Sequence, residues 1–157
     1  MDHHRKLETM YAHAPVNRFY RPTLTVSEAR AEVRIEVGEH LFHSAGAMHG
    51  SVYFKMLDDA AWFAANSLVF DVFVLTATFE VKLRRPVSTG RIRAVGTVQN
   101  DDGRSILAEA ILYDYQNRVL ATGHGRFARG PTPLQSVASY RLVQSGTNQE
   151  SDSDPNR

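Results

Sequence analysis

Gly46-Ala47-Met48-His49-Gly50-Ser51-Val52-Tyr53-Phe54-Lys55-Met56-Leu57-Asp58-Asp59-Ala60-Ala61-Trp62-Phe63-Ala64-Ala65-Asn66-Ser67 is the stretch from which the fold is read. A His-Gly-small turn runs straight into an apolar segment, which predicts a long helix from about His49 to Leu68. A helix that opens at Gly50 and Ser51 leaves backbone N–H groups unpaired at the positive end of its dipole, where a developing negative charge is stabilised. At 100° per residue, Lys55, Asp59, Trp62 and Asn66 share one stripe, so Lys55 and Asp59 pair at i,i+4. Asp58 falls elsewhere, in a sector with Ser51, Phe54, Ala61 and Ala65, and most of the remaining circumference is apolar. A helix apolar on nearly all sides is buried. A carboxylate on it without a partner has its pKa raised by burial and is a candidate functional group. The same position also suits an aspartate that simply faces solvent.

Outward from this helix the pattern changes period. On the N-terminal side, Glu28 to Val37 alternates Ala29, Ala31, Val33, Ile35 and Val37 against Arg30, Glu32, Arg34 and Glu36, a strand with one wet face. Arg5 to Ala12 reads as a short leading helix stopped before Pro15. On the C-terminal side come four strand-like runs, about Phe73 to Leu83, Arg91 to Val98, Ser105 to Tyr113 and Val119 to Phe127. Turn chemistry joins them at Arg85 to Gly90, Asn100 to Gly103 and Gln116-Asn117. In the run Phe73 to Leu83, Leu75, Ala77, Phe79, Val81 and Leu83 form the expected apolar face, with Thr76, Thr78, Glu80 and Lys82 opposite. Strand, helix, then an antiparallel meander is an α+β order with one sheet packed on one long helix. Residues 1–130 make a single domain. Residues 131–157, rich in Pro, Ser, Gln, Asn and Asp, are expected to be a polar, mobile tail with a brief helix near Ser136 to Val143.

Composition removes several classes of function. The chain of 157 residues buries roughly two-thirds of its unfolded surface around one core. With 18 basic and 17 acidic residues the net charge is +1, so no whole-chain field draws it to nucleic acid or to a membrane. Zero cysteines exclude a disulfide framework, a thiolate nucleophile and cysteine-based metal sites, and fit a reducing, cytoplasmic location. The N-terminus has no signal-peptide core, and the longest apolar run, Ala60 to Phe70, is far short of the roughly 20 residues of a membrane span. The histidines lack the paired spacing of a helical zinc site, so no metal and no cofactor are expected. Ser67, Ser88 and Ser105 sit in no Gly-x-Ser-x-Gly elbow, and no dinucleotide or phosphate-loop motif is present.

His49-Gly50-Ser51, with Asp58 nine residues after the histidine and Asn66 eight beyond, resembles the acyl-CoA thioesterases of the hotdog fold. The likeness is to the branch that includes phenylacetate-degradation and human acyl-CoA thioesterase-like proteins, whose pattern is His-Gly-Gly followed by Leu-x-Asp on the long helix. It covers about Leu41 to Phe127 and extends to Lys82-Leu83-Arg84-Arg85-Pro86 before a turn with Gly90. The resemblance implies a long central helix wrapped by a five- or six-stranded antiparallel sheet, a homodimer or homotetramer with its site between subunits, and hydrolysis of an acyl-CoA to free acid and coenzyme A.

Carried onto this sequence, the resemblance implies that Gly50 N–H polarises the thioester carbonyl. Asp58, from the other subunit, acts as general base on water or as nucleophile. Thr76, reached by counting back from Pro86, orients the water, and His49 holds the loop. Ser51, His43 and Asn66 are carried as substrate contacts, although the family has a second glycine where this chain has Ser51, and often an amide where it has His43. Of the cations Lys82, Arg84, Arg85, Arg91, Arg93, Arg126 and Arg129, Arg84 and Arg85 are the first candidates for coenzyme A phosphates, the alternative being a solvated sheet face. Two rival functions are a non-catalytic acyl-CoA or acyl-chain binding module that keeps the pocket without turnover, and a hotdog enoyl-thioester hydratase, which is disfavoured because the His and acid motifs of those relatives are not recognisable here.

Overall fold

The 17-residue helix α3, Gly50–Asn66, is the axis on which the rest is laid. The computed structural model describes residues 2–142. The second half of α3 carries Ala60, Ala61, Ala64 and Ala65, all fully buried, and side chains this small let its backbone lie directly on a sheet. The closest approach is at Gly96, where a Cβ would overlap the backbone of Ala60 and Ala61.

Six strands wrap the helix: β1 (Thr23–Ser27), β2 (Arg30–Glu36), β3 (Val72–Leu83), β4 (Arg91–Asp101), β5 (Ser105–Tyr113) and β6 (Val119–Pro133). They form one antiparallel sheet in the order β1-β2-β4-β5-β6-β3. This is the arrangement that the hotdog resemblance implies, with six strands. Ala31, Val33 and Ile35 of β2, Ile92 and Ala94 of β4, and Ile106, Ala108, Ala110 and Leu112 of β5 point at α3 and are buried, as period-2 alternation requires. Two short helices, α1 (His3–Ala12) and α2 (Asn17–Tyr20), precede the sheet. No described helix is long and apolar enough to cross a membrane.

Three features differ from the sequence reading. First, β1 and α2 were not expected, and β1 has only Val26 buried among its five residues, too little apolar signal to announce a strand. α1 steadies it: Arg5 donates to Val26 O at 2.6 Å and Val26 N–H donates to Glu8 at 2.8 Å. Second, packed structure continues past residue 130. β6 runs to Pro133, and Leu134 and Tyr140, at 0% and 3% exposure, sit in two 3-10 turns, Leu134–Ser136 and Ala138–Tyr140, where one brief helix was expected. Residues 143–157, the rest of the expected tail, lie outside the described residues.

Third, β3 does not keep one parity. Val74 is fully buried while Leu75 is 47% exposed, and beyond a register shift between Thr76 and Thr78 it is Phe79 and Val81 that pack toward the core. The bulge inserts one residue and exchanges the faces. Thr76, opposite the buried Phe127, therefore shares the helix-facing side with Val74, and the continuous apolar face expected from Leu75 to Leu83 is broken. β3 is also an edge strand that leaves Leu75 and Leu83 exposed, and the exposed Phe54 of α3 meets the Phe79 ring of the same strand.

Replacing Gly96 with alanine drives a methyl group into the α3 backbone. We expect Gly96→Ala to lower the unfolding free energy by about 2–4 kcal/mol in urea titrations, or to prevent folding. An unchanged midpoint would show that helix and sheet are not in this close contact.

Candidate active site

The helix mouth is shaped by hydrogen bonds local to its loop. His49 is the N-cap residue, extended at φ −63° and ψ 143°. Its Nδ1 receives the Ser51 N–H at 3.1 Å and the Ser51 hydroxyl at 2.7 Å. Because a backbone N–H only donates, Nδ1 is the lone-pair nitrogen, and a neutral ring carries its proton on Nε2. Val52 N–H returns to His49 O at 3.0 Å. Among the described residues the Gly50 N–H has no acceptor, which leaves it as an open donor at the positive end of the dipole. His49 thus holds the turn. Ser51 serves His49 with both its N–H and its hydroxyl, whose oxygen keeps its lone pairs for a further donor.

His43 likewise works on its own loop. Its Nδ1 accepts from Ala45 N–H at 3.0 Å, its N–H donates to Ala47 O at 2.9 Å, and Phe42 pairs with Met48 to close the loop ahead of His49. Arg84 and Arg85 are tied to the sheet by their backbone N–H groups on Leu120 O, while Tyr53 of α3 donates to Arg85 O at 2.8 Å. Leu83, the residue before them, lies against Gly50, where an added Cβ would meet its Cδ1 at 3.5 Å. Both arginine side chains are exposed near the helix mouth with no ion pair among the described residues. The other arginines of the expected group are engaged: Arg91 with Glu36, Arg93 with the Tyr113 ring, Arg126 with Ser105 and Arg129 with Asp101.

Asn66 overturns its expectation as a substrate contact. It is fully buried, its amide nitrogen donates to Val69 O and Val72 O, and its Oδ1 accepts from Val74 N–H at 2.9 Å. It is the knot between the end of α3 and the start of β3. Its position on the helix matched the motif, but burial leaves a substrate no access.

Two turns along α3, Asp58 is half-buried and accepts from the Thr76 hydroxyl at 3.0 Å, across the bulge of β3. Burial pushes its pKa up from 3.8 to about 6, with the adjacent Asp59 adding to the rise and Thr76 and Lys55 opposing it. Asp58 and Thr76 lie in the wall of a groove of about 360 Å³ whose other walls include Tyr11 from α1, Trp62 and Phe63 from α3, and Phe73 and Leu75 from β3. The share of α1 was not legible in the sequence, because nothing local to residues 3–12 says which part of α3 it will meet. Asp59 is paired with Lys55 at 2.7 Å, as its helical spacing implied.

Gly50 and Asp58 do not meet within one chain. Eight residues at the α-helical rise separate them by about 12 Å along the axis, whereas a carbonyl held by one and attacked through the other needs both within hydrogen-bond reach. Among the described residues no group of three metal-ligating side chains is assembled.

A sequence model of the thioesterase superfamily matches residues 45–121. Among solved structures, a conserved protein of Pseudomonas aeruginosa is 27% identical, with 74% of this chain and 94% of that one covered at a TM-score of 0.70. The E. coli PaaI protein from the phenylacetic acid degradation operon superposes at 0.75 with 17% identity, over 84% and 99% of the two chains. A thioesterase of Haemophilus influenzae superposes at 0.70 with 14% identity, over 76% and 85%. No curated protein matches the chain.

With its folded pKa raised, Asp58 favours folding in its protonated form, and that contribution is lost as the pH rises from about 3.8 through about 6. Asp58→Asn, which still accepts from Thr76, is therefore expected to be more stable than the parent at pH 8 by about 1–2 kcal/mol, allowing for partial solvent screening. The gain should vanish below pH 4. Denaturant titrations at the two pH values measure it, and equal stability at pH 8 would contradict the raised pKa.

Proposed function

We propose that this chain, which belongs to the hotdog-fold thioesterase superfamily, hydrolyses acyl-coenzyme A to a free carboxylic acid and coenzyme A within the phenylacetate-degradation thioesterase-like branch. Membership supports thioester hydrolysis as the general reaction. The observation that carries the finer reading is Asp58: a half-buried carboxylate with pKa near 6, hydrogen-bonded to Thr76 and facing a groove with an aromatic wall. Such a group is mostly ionised at neutral pH yet retains proton affinity, which suits a general base.

In the proposed reaction a water held beside Asp58 and Thr76 attacks the thioester carbon and passes a proton to Asp58. The carbonyl oxygen, now negative, is stabilised by the open Gly50 N–H at the start of α3. Collapse of the tetrahedral intermediate breaks the carbon–sulfur bond, and the proton on Asp58 returns to the leaving thiolate. His49 keeps the turn that aims Gly50. Arg84 and Arg85, uncompensated cations beside the same helix mouth, meet the phosphates of coenzyme A.

Because Gly50 and Asp58 are about two helical turns apart in one chain, the working site takes Gly50 from one subunit and Asp58 from another. Edge strand β3, with exposed Leu75 and Leu83 and the neighbouring Phe54, is the surface on which the second subunit is expected.

Thiol release from a panel of acyl-CoA esters tests the reaction, and Asp58→Asn should lower kcat by about 10²- to 10⁴-fold. Retained hydrolysis in that variant would remove Asp58 from the chemistry. The shared site has its own test in Gly50→Pro, which removes the N–H at the first helical position, where proline is tolerated. Each variant alone should be inactive. Random mixing of the two during refolding should restore about one quarter of parental activity, since half the dimers then carry one intact site of two. A mixture as inactive as its components would refute the intersubunit arrangement.

A further inference from the structure

Asp58 has a cation within reach that it does not use. Lys55 lies three residues before Asp58 and four before Asp59, and both spacings bring side chains together on a helix. The ammonium takes Asp59 alone, at 2.7 Å from Oδ2. The Tyr11 hydroxyl of α1 donates to the same oxygen at 2.6 Å. The ammonium also lies over two rings, with centroids 5.5 Å away for Tyr11 and 4.9 Å away for Tyr20 of α2. The Lys55 and Asp59 side chains are only 15% and 19% exposed, so this pairing is weakly screened.

We propose that Asp59, fixed by Tyr11 and helped by Tyr20, is a positioning residue that keeps Lys55 away from Asp58 and so leaves the catalytic carboxylate without a cationic partner. The kinetic consequence rests on the reading of Asp58 as the base; the effect on its titration does not. Paired with Lys55, Asp58 would hold its charge more firmly and accept a proton from water less readily. An oxygen needed for that proton would also be occupied. Tyr11 and Tyr20 lie outside residues 45–121, the part of the chain matched by the superfamily model, whereas Lys55 and Asp59 lie inside it, so the N-terminal segment supplies the two rings.

The groups facing Asp58 fix the signs. From α3 come Asp59, which raises its pKa, and Lys55, which lowers it; from β3 comes Thr76, a neutral donor, and the other β3 residues of the groove are apolar. From α1 comes Tyr11, neutral and bound to Asp59, with burial and that carboxylate driving its own pKa upward. Asp59→Asn removes the negative neighbour and frees Lys55, and both changes push the Asp58 midpoint down. Lys55→Met pushes it up. In the double variant the two largely cancel.

The test is a carboxyl ¹³C NMR titration of the full-length protein labelled at aspartate, with the Asp58 resonance assigned by its loss in Asp58→Asn. Asp59→Asn is expected to lower the midpoint by about one pH unit or more, Lys55→Met to raise it, and the double variant to restore it. The acid limb of kcat/KM should move with the midpoint, and kcat should fall about tenfold in Asp59→Asn and recover in the double variant. No shift in Asp59→Asn, or a shift that persists in the double variant, would overturn the proposal. Should Asp59→Asn not fold, Tyr11→Phe carries the same test: a smaller downward shift supports the proposal, and none overturns it. If Asp58→Asn retained thioesterase activity while these shifts appeared, the base assignment would fall and the control of Lys55 by Asp59 would stand.

Discussion

The contact on which the molecule depends is the seating of α3 against β4, where Gly96 offers no side chain and the helix offers only Ala60 and Ala61. Close packing at this point fixes how far the helix stands from the sheet, and a rigid helix transmits that position to both of its functional ends. At its start, the His49 cap leaves the Gly50 N–H open; two turns on, Asp58 arrives opposite Thr76. At its end, the Asn66 amide ties it to β3 through two hydrogen bonds, to Val72 O and from Val74 N–H, so that strand and helix keep their register at the bulge.

The bulge in β3 is the second constraint. A regular strand with Val74 buried would keep Phe79 and Val81 off the core; one inserted residue lets Val74 and Phe79 both pack inward, and it holds Thr76 on the helix side. The irregularity therefore serves the site, joining a hydroxyl to a carboxylate that burial has made a weaker acid. The same edge strand exposes the apolar side chains of Leu75 and Leu83, the latter beside Gly50.

Charge is distributed with the same economy. Four of the seven cations considered at the outset have partners on the sheet, while Lys82, Arg84 and Arg85 are exposed with no ion pair among the described residues. Lys55, the cation nearest to Asp58, is bound by Asp59 and two tyrosine rings. Free positive charge is thus left near the start of α3 and withheld from Asp58.

The sequence alone determined what local chemistry controls: a long apolar helix opening at His49-Gly50-Ser51, the alternating strand through Val33, the antiparallel meander with its turns, the Lys55–Asp59 pair, and the absence of cysteine chemistry. These follow from side-chain periodicity and turn residues, which act over a few positions. Tertiary structure decided the rest. That Thr76 faces the helix depended on a bulge with no distinctive residue type, and that Asn66 is a buried knot and not a substrate contact depended on what β3 offered it. That Tyr11 reaches Asp59 across 48 positions of chain depended on how α1 packs, because contacts between distant segments are set by the packing of whole elements and leave no mark in the spacing of the residues that make them.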